Sequence, residues 1–344
     1  MDFLLIVIFF RYARLILGLV EYWCYRKLAP FSHNTSQDDE LLRQVTIVSI
    51  TLGTEPRYRE TISQWLTSNP SAIIIITIKS KYSDLVKLIE SYDDSRISLH
   101  WVETPSARLQ YAKAVQLVKT PLFVIADDRS RWMPGTLNGV LRPLSNTQIG
   151  GATVFHGVAP MNDKYFTPWE LFGLLNIHRR NVQHATVAFI NGGQVLNLSG
   201  RLAAFRTNIF QKQAFYDYFV HEKWLGRFAI RTGDDNAFTT WVVREGWETW
   251  FENDPNAATT VLSLPSSIYL KQLLRWQRDT ARHYLSDLFY GFRSAQKRLI
   301  VRAALNIVVY YTTDVSILVE LSSLSFLCVN RLSGLGYAVD PRYV

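Results

Sequence analysis

From Val45 onward, short uninterrupted apolar runs alternate with stretches of helical periodicity, and this alternation most narrows what the chain can become. The runs "VTIVSI", "AIIIITI" and "PLFVIA" lack the in-out polar alternation of a half-solvated strand. Continuous apolar strands belong to sheets covered on both faces, and strands separated by helices build βαβ units. Helices are predicted from Pro56 to Thr67, with Ile62, Trp65 and Leu66 on one face, from Tyr82 to Tyr92, and from Ser106 to Val118. "ISLHWV" is a strand between the last two. The expected fold class is therefore α/β with a parallel sheet, whose ligands bind beyond the carboxyl ends of its strands. "PLFVIA" runs into "IADDRSRW", which places Asp127 and Asp128 at that edge.

The chain is less regular beyond this point. A helix is expected near Pro168 to Ala185, then a Gly-rich turn and strand in "NGGQVLNLSGRLAAFR". Asp234-Asp235 precede a helix with Phe238, Val242 and Val243 on its apolar face, and "YLKQLLRWQRDTARHYLSDLFYGF" is amphipathic. There is no internal repeat and no low-complexity linker.

The formal charge of +8 is spread along the chain without a Lys/Arg run. That pattern excludes a nucleic-acid arm and favours a phosphorylated small molecule or a membrane surface. Cys24 and Cys328 lie in the two apolar ends, so the middle region can form neither a disulfide nor a cysteine zinc site. This suits a reducing cytosol, where the sequons at Asn34 and Asn197 stay unmodified. At the N-terminal end, Arg11 and Arg14 interrupt the apolar residues, leaving open a span with inward-facing arginines or an amphipathic helix in the interface. Tyr22, Trp23, Tyr25, Arg26 and Lys27 resemble a belt at the membrane boundary. Near the other end, Ala303 to Val329 is long enough to cross a bilayer. It follows Lys297, Arg298 and Arg302, which predicts a cytosolic start, and it carries Asp314 and Glu320. A buried helix pair is the alternative.

Taken singly, the polar features have ordinary explanations. Aspartates favour loops, an acid ahead of a helix caps it, and Arg and Trp suit an interfacial helix. Their order is more specific. A strand-end acid pair (Asp127, Asp128), then Gly-Asp-Asp (Asp234, Asp235), then Gln272-x-x-Arg275-Trp276 ahead of an apolar run resembles the motif series of membrane-associated glycosyltransferase family 2. The group includes hyaluronan, chitin and cellulose synthases, and the likeness is greatest to capsular polysaccharide synthase-like proteins. It covers about Val45 to Arg302, and "LSGRLAAFR" is similar to a Ser-Gly segment of hyaluronan synthases.

The resemblance implies a GT-A (Rossmann-like) nucleotide-sugar transferase domain with flanking amphipathic and transmembrane helices. It divides the chain into an N-terminal membrane or interfacial helix (1–40), a catalytic domain (41–265), interface helices with the Gln-x-x-Arg-Trp motif (266–300), a transmembrane helix (301–330) and a tail (331–344). It implies Mg2+ or Mn2+ held by Asp127 and Asp128, and an inverting transfer from a nucleotide-sugar donor, UDP-linked in the family. Asp235 becomes the base, supported by Asp234; Arg275, Arg108 and Arg129 face the diphosphate, and Gln272 and Trp276 face substrate. Gln110 belongs with Arg108 to the family's nucleotide-phosphate segment. The implied acceptor is a polysaccharide at the cytosolic membrane face; a lipid acceptor, as for ceramide glucosyltransferase, is the enzymatic alternative. One C-terminal apolar segment is little for a polymer channel, so membrane lipid and a homo-oligomer count among the expected partners.

Two departures stand out. Relatives place Asp-x-Asp where this chain has Asp127-Asp128-Arg129, and a guanidinium cannot ligate a metal. Either the metal keeps fewer protein ligands and more phosphate oxygens, or Arg129 pairs with phosphate, or Arg129 neutralises the acids and leaves a scaffold of the same fold without metal chemistry. The "AIIIITIKSKY" strand also lacks the acid that many relatives use on uracil.

Overall fold

The computed structural model describes residues 2–27, 40–53, 57–195, 197–305 and 307–308. In chain order the helices are α1 (Asp2–Lys27), α2 (Tyr58–Thr67), α3 (Lys79–Glu90), α4 (Ala107–Leu117), α5 (Thr136–Leu141), α6 (Pro168–Ile190), α7 (Gln213–His221), α8 (Asp234–Arg244) and α9 (Ile268–Ser294). The strands are β1 (Val45–Ile50), β2 (Ala72–Ile78), β3 (Ile97–Val102), β4 (Leu122–Ala126), β5 (Ser130–Trp132), β6 (Ile149–Val154), β7 (His156–Ala159), β8 (Leu202–Arg206), β9 (Lys223–Trp224), β10 (Phe228–Ala229), β11 (Glu248–Glu252) and β12 (Thr259–Leu262).

The predicted apolar strands form the heart of the main sheet, ordered β11-β6-β8-β4-β1-β2-β3. Their side chains alternate between two cores. Ile47, Ile73, Ile75 and Val124 pack on one face with Ile62 and Trp65 of α2. Val48, Ile74, Ile76, Phe123 and Ile125 pack on the other with Phe205, Phe210 and Phe238. Each such side chain contributes about 1.5–3 kcal/mol on burial, which explains why the runs carry so few polar residues.

The sheet is mixed rather than wholly parallel. β8 pairs antiparallel with both β4 and β6. This reversal matters for the site. With Ala126 opposite Leu202, the start of β8 lies at the edge where β4 ends. The Ser199-Gly200-Arg201 turn therefore meets Asp127, whose amide donates to the Arg201 carbonyl at 3.1 Å. After β4 the chain turns through Asp127 to Arg129 and enters a second sheet, β5-β12-β7.

α6 begins where the sequence predicts, for a local reason. Thr167 Oγ1 accepts from the Glu170 amide at 3.3 Å, Glu170 Oε2 accepts from the Thr167 amide at 2.8 Å, and Pro168 occupies the first turn. The helix runs further than expected, to Ile190, because α1 packs along it. α1 is itself tied down: Tyr25 is buried and its hydroxyl donates to the Phe251 carbonyl at 2.7 Å.

Among the described residues no helix is long and apolar enough to cross a membrane. For residues 1–40 the spanning option is therefore not met over the described α1. The expected span over 301–330 and the tail over 331–344 lie outside the described residues, apart from 301–305, 307 and 308. Nor do all the basic residues ahead of that span face outward. Arg302 is buried and its Nη1 donates to Asp287 Oδ2 at 2.8 Å, while Arg298 Nη1 donates to the Gly246 carbonyl at 2.9 Å. Asp287 also accepts from Thr240 Oγ1 at 2.9 Å, which fastens α8 to α9.

Candidate active site

Three chain segments meet in one cleft of about 560 Å³ beyond the carboxyl ends of β1 and β4. Asp127, Asp128 and Arg129 enter from β4, Asp234 and Asp235 from the start of α8, and Gln272, Arg275 and Trp276 from α9. Five acids line it (Asp127, Asp128, Asp234, Asp235, Asp279), and five arginines (Arg129, Arg180, Arg201, Arg231, Arg275) balance them. No lysine is among these lining residues. A guanidinium keeps its charge on burial and offers a planar fork to phosphate, which an ammonium does not.

The acid pair after β4 is at once a turn and part of the cleft. Asp127 Oδ1 accepts from the Arg129 amide at 2.8 Å, and the Asp127 carbonyl accepts from Ser130 Oγ at 2.7 Å. Asp128 Oδ2 accepts from Thr51 Oγ1 at 2.7 Å, which ties it to the end of β1. Arg129 Nε lies 3.7 Å from Asp127 Oδ1, a loose ion pair.

Among the described residues no group of three or more His, Cys, Asp or Glu is placed to hold a metal. Two carboxylates nonetheless suit a hard cation that completes its shell with substrate phosphate and water. Each oxygen pair can accept further bonds beyond those already made. The residues therefore fit Mg2+ or Mn2+ in chemistry, and Asp127 and Asp128 are the side chains that could hold it. Replacing Arg129 by Asp removes a cation from beside Asp127 and adds oxygen donors. Arg129→Asp is accordingly expected to bind Mn2+ at least about tenfold more tightly than the wild type. Unchanged Mn2+ affinity in a titration would place Arg129 away from the ion.

The second acid pair is built by an unusual helix start. Gly233 sits at φ 70°, in the left-handed region, so that α8 begins abruptly with two acids in its first turn. Asp235 Oδ1 accepts from the Asn236 amide at 2.8 Å, and Oδ2 accepts from Asn197 Nδ2 at 3.3 Å. Asn197 is only 4% exposed, and its Nδ2 also donates to Asn236 Oδ1 at 3.1 Å. The sequence marks Asn197 only as a sequon; its part in orienting Asp235 had no local signal.

Burial raises the Asp234 carboxyl to about 6, the Asp235 charge adds to this, and Arg108 and Arg275 oppose it. An acid raised on folding leaves stability complete below its unfolded value near 3.8 and lowers it as pH passes through about 6. Asp234→Asn is thus expected to unfold later than the wild type at pH 8, by up to about 3 kcal/mol, and no later at pH 3.5. Thermal denaturation at both pH values checks this; a variant weaker at pH 8 would contradict it.

Trp276 is not a bare platform. Arg201 lies 4.9 Å from its ring centroid, and Tyr269 meets it edge-on at 6.3 Å. Arg201 is pulled down to about 10 by burial first and by Arg180 next. Arg180 belongs to no motif of the sequence, Arg201 lies in the "LSGRLAAFR" segment, and the antiparallel β8 is what brings Arg201 here. Gln110 lines the cleft floor, but its amide donates to the Ile76 carbonyl at 2.9 Å. Arg108, expected against the diphosphate, is not among the residues lining the cleft. It is 1% exposed, and Glu222 and backbone carbonyls take up its guanidinium.

A mixed α/β sheet with acids beyond its carboxyl edge is the architecture of GT-A transferases. The structure superposes on the mannosyltransferase PcManGT from Pyrobaculum calidifontis, solved in complex with GDP-Man and Mn2+, with a TM-score of 0.60. That likeness covers 96% of this chain and 91% of the other at 15% identity, and it concerns the fold. Residues 43–279 match the family model described as "Glycosyltransferase like family 2", and the chain belongs to that family. A type 2 glycosyltransferase of Gibberella zeae is 29% identical over 280 residues, covering 80% of this chain and 52% of that protein. The NDP-glycosyltransferase ltbB of Aspergillus luteorubrus is 25% identical over 266 residues, covering 74% and 64%. The chain thus spans about half to two thirds of the length of these relatives. Both are named as glycosyltransferases without mention of hyaluronan, chitin or cellulose, so family membership stands at this coarser level.

Proposed function

We propose that this chain transfers a sugar from a nucleotide-sugar donor to a hydroxyl acceptor, with inversion at the anomeric carbon. The observation that carries the proposal is the convergence of Asp127, Asp235 and Arg275 on one cleft. The acceptor oxygen forms a bond to the anomeric carbon while the bond from that carbon to the diphosphate breaks. The electron pair leaves with the diphosphate, and the acceptor proton passes to Asp235. One base and one displacement give inversion.

Arg275 and Arg129 face the charge that grows on the leaving oxygens, where preorganised cations lower the barrier most. A divalent ion at Asp127 and Asp128 would neutralise the diphosphate. Asn197 donates to Asp235 Oδ2 and so restrains the orientation of the base. UDP is the nucleotide implied by the sequence resemblance, whereas the structural neighbour carries GDP-Man, so both are assayed.

The acceptor is a growing polysaccharide at the cytosolic face of a membrane. One observation favours a second reading, a lipid acceptor. α6 and α9, which wall the cleft, expose Leu171, Phe172 and Leu175, and Leu270 and Leu274, respectively. α1 adds exposed Leu15, Ile16, Leu19, Val20 and Trp23, the residues an interfacial helix would present to lipid. Incubating membranes that carry the protein with radiolabelled nucleotide sugars, then sizing and extracting the product, separates the two. A labelled chain supports the polymer, a small organic-soluble product supports the lipid, and no label in either fraction refutes transfer.

A further inference from the structure

The Thr232-Gly233 peptide just ahead of the two α8 acids is gripped from two helices. From α4, Arg108 Nε and Nη2 donate to the Thr232 carbonyl at 3.2 and 3.1 Å. Its Nη1 donates to the Phe219 carbonyl at 2.9 Å and to Glu222 Oε2 at 2.7 Å, which fixes the plane of the guanidinium. Two parallel donors on one oxygen hold that oxygen in direction as well as distance, which a lysine cannot do.

α9 supplies the other side. Thr232 Oγ1 donates to Asp279 Oδ1 at 2.7 Å, and Arg282 Nη2 donates to the same oxygen at 2.6 Å. His283 Nε2 lies 3.4 Å from Arg108 Nη2. An arginine can donate there only to a neutral ring protonated on Nδ1, and burial, with the Arg108 charge next, holds His283 well below its ordinary pKa. A Cβ added to Gly233 would stand 2.8 Å from His283 Nε2, so the loop lies directly on this imidazole.

We infer that Arg108, His283 and Asp279 form a clamp that positions the Thr232-Gly233 peptide, and through it the Asp235 carboxylate, against the helix bearing Arg275. Asp279 follows Arg275 by one helical turn, so the Asp279–Thr232 bond sets the distance between the base and the leaving-group side of the cleft. The three are positioning residues. Arg108 acts on the base through the backbone rather than on the diphosphate. The inference rests on Asp235 being the base.

The test uses Arg108→Lys, which keeps the charge and loses the fork, and Thr232→Val, a milder change that removes only the hydroxyl. Three quantities are measured: kcat with donor KM, the affinity for UDP and GDP with Mn2+, and amide exchange over residues 232–236. Arg108→Lys is expected to lower kcat about thirtyfold with donor KM and nucleotide affinity within about twofold of wild type. Exchange over 232–236 should rise about tenfold while the β1, β2 and β4 amides keep their protection. Thr232→Val should move the same quantities the same way, kcat by about threefold. Nucleotide affinity falling in step with kcat would overturn the clamp in favour of direct diphosphate contact, and unchanged exchange over 232–236 would overturn it too. Should the wild type transfer no sugar, the reading of Asp235 as base fails, and local exchange still decides whether the clamp exists.

Discussion

Asp235→Asn is expected to lower kcat by roughly a thousandfold while UDP or GDP binds as tightly as to the wild type. The substitution is nearly isosteric; its one oxygen can still accept from the Asn236 amide, and its NH2 stands where Oδ2 accepts from Asn197. What it loses is the capacity to take a proton. A base contributes about 10²–10⁴ to a rate, or about 3–5 kcal/mol, and that part of the barrier should return. The diphosphate would contact Arg275, Arg129 and the acids after β4, none of which changes, so nucleotide affinity should hold. Residual transfer above about a tenth of wild type would remove Asp235 as the base and leave Asp234 the nearest candidate.

Removing both carboxylates after β4 probes the other half of the chemistry. In Asp127→Ala/Asp128→Ala the cleft keeps five arginines and three acids, Asp234, Asp235 and Asp279. A nucleoside diphosphate should therefore still bind through charge, but binding should no longer respond to Mn2+. In the wild type, adding Mn2+ is expected to tighten UDP or GDP binding by about a hundredfold, a few kcal/mol of charge neutralisation. The double variant should show the same weak affinity with and without the ion, and transfer should fall at least about a thousandfold. Retained Mn2+ enhancement would place the ion on other residues. Equal, strong binding by wild type with and without Mn2+ would instead favour Arg129 as the neutralising charge and a scaffold without metal chemistry.

The sheet and the motif residues were legible because each has a local signature. The strands around Ile47, Ile74 and Val124 are apolar on both faces, and Thr167-Pro168 with Glu170 marks a helix start. Asp127, Asp235 and Trp276, which line one cleft, are picked out in the sequence by the motif series that carries them. The reversal of β8 was not legible, since "LAAFR" reads alike in either direction, and with it went Arg201 and its place over Trp276. Asn197 was hidden because its partner, Asp235, lies 38 residues away. Arg108 is expected against the diphosphate from its motif position, and such a position fixes which residue is present, not which way it faces. Only the packing of α4 on α7 and of α8 on α9 brings Glu222, Thr232 and His283 around it.

Hydrogen exchange of the protein with and without Mn2+ and UDP or GDP tests the central claim most directly, because it asks whether one diphosphate touches all three segments. Peptides spanning 127–131, 231–236 and 272–280 should gain protection together, at the same nucleotide concentration. Protection confined to one of them, or appearing only elsewhere on the protein, would contradict the account.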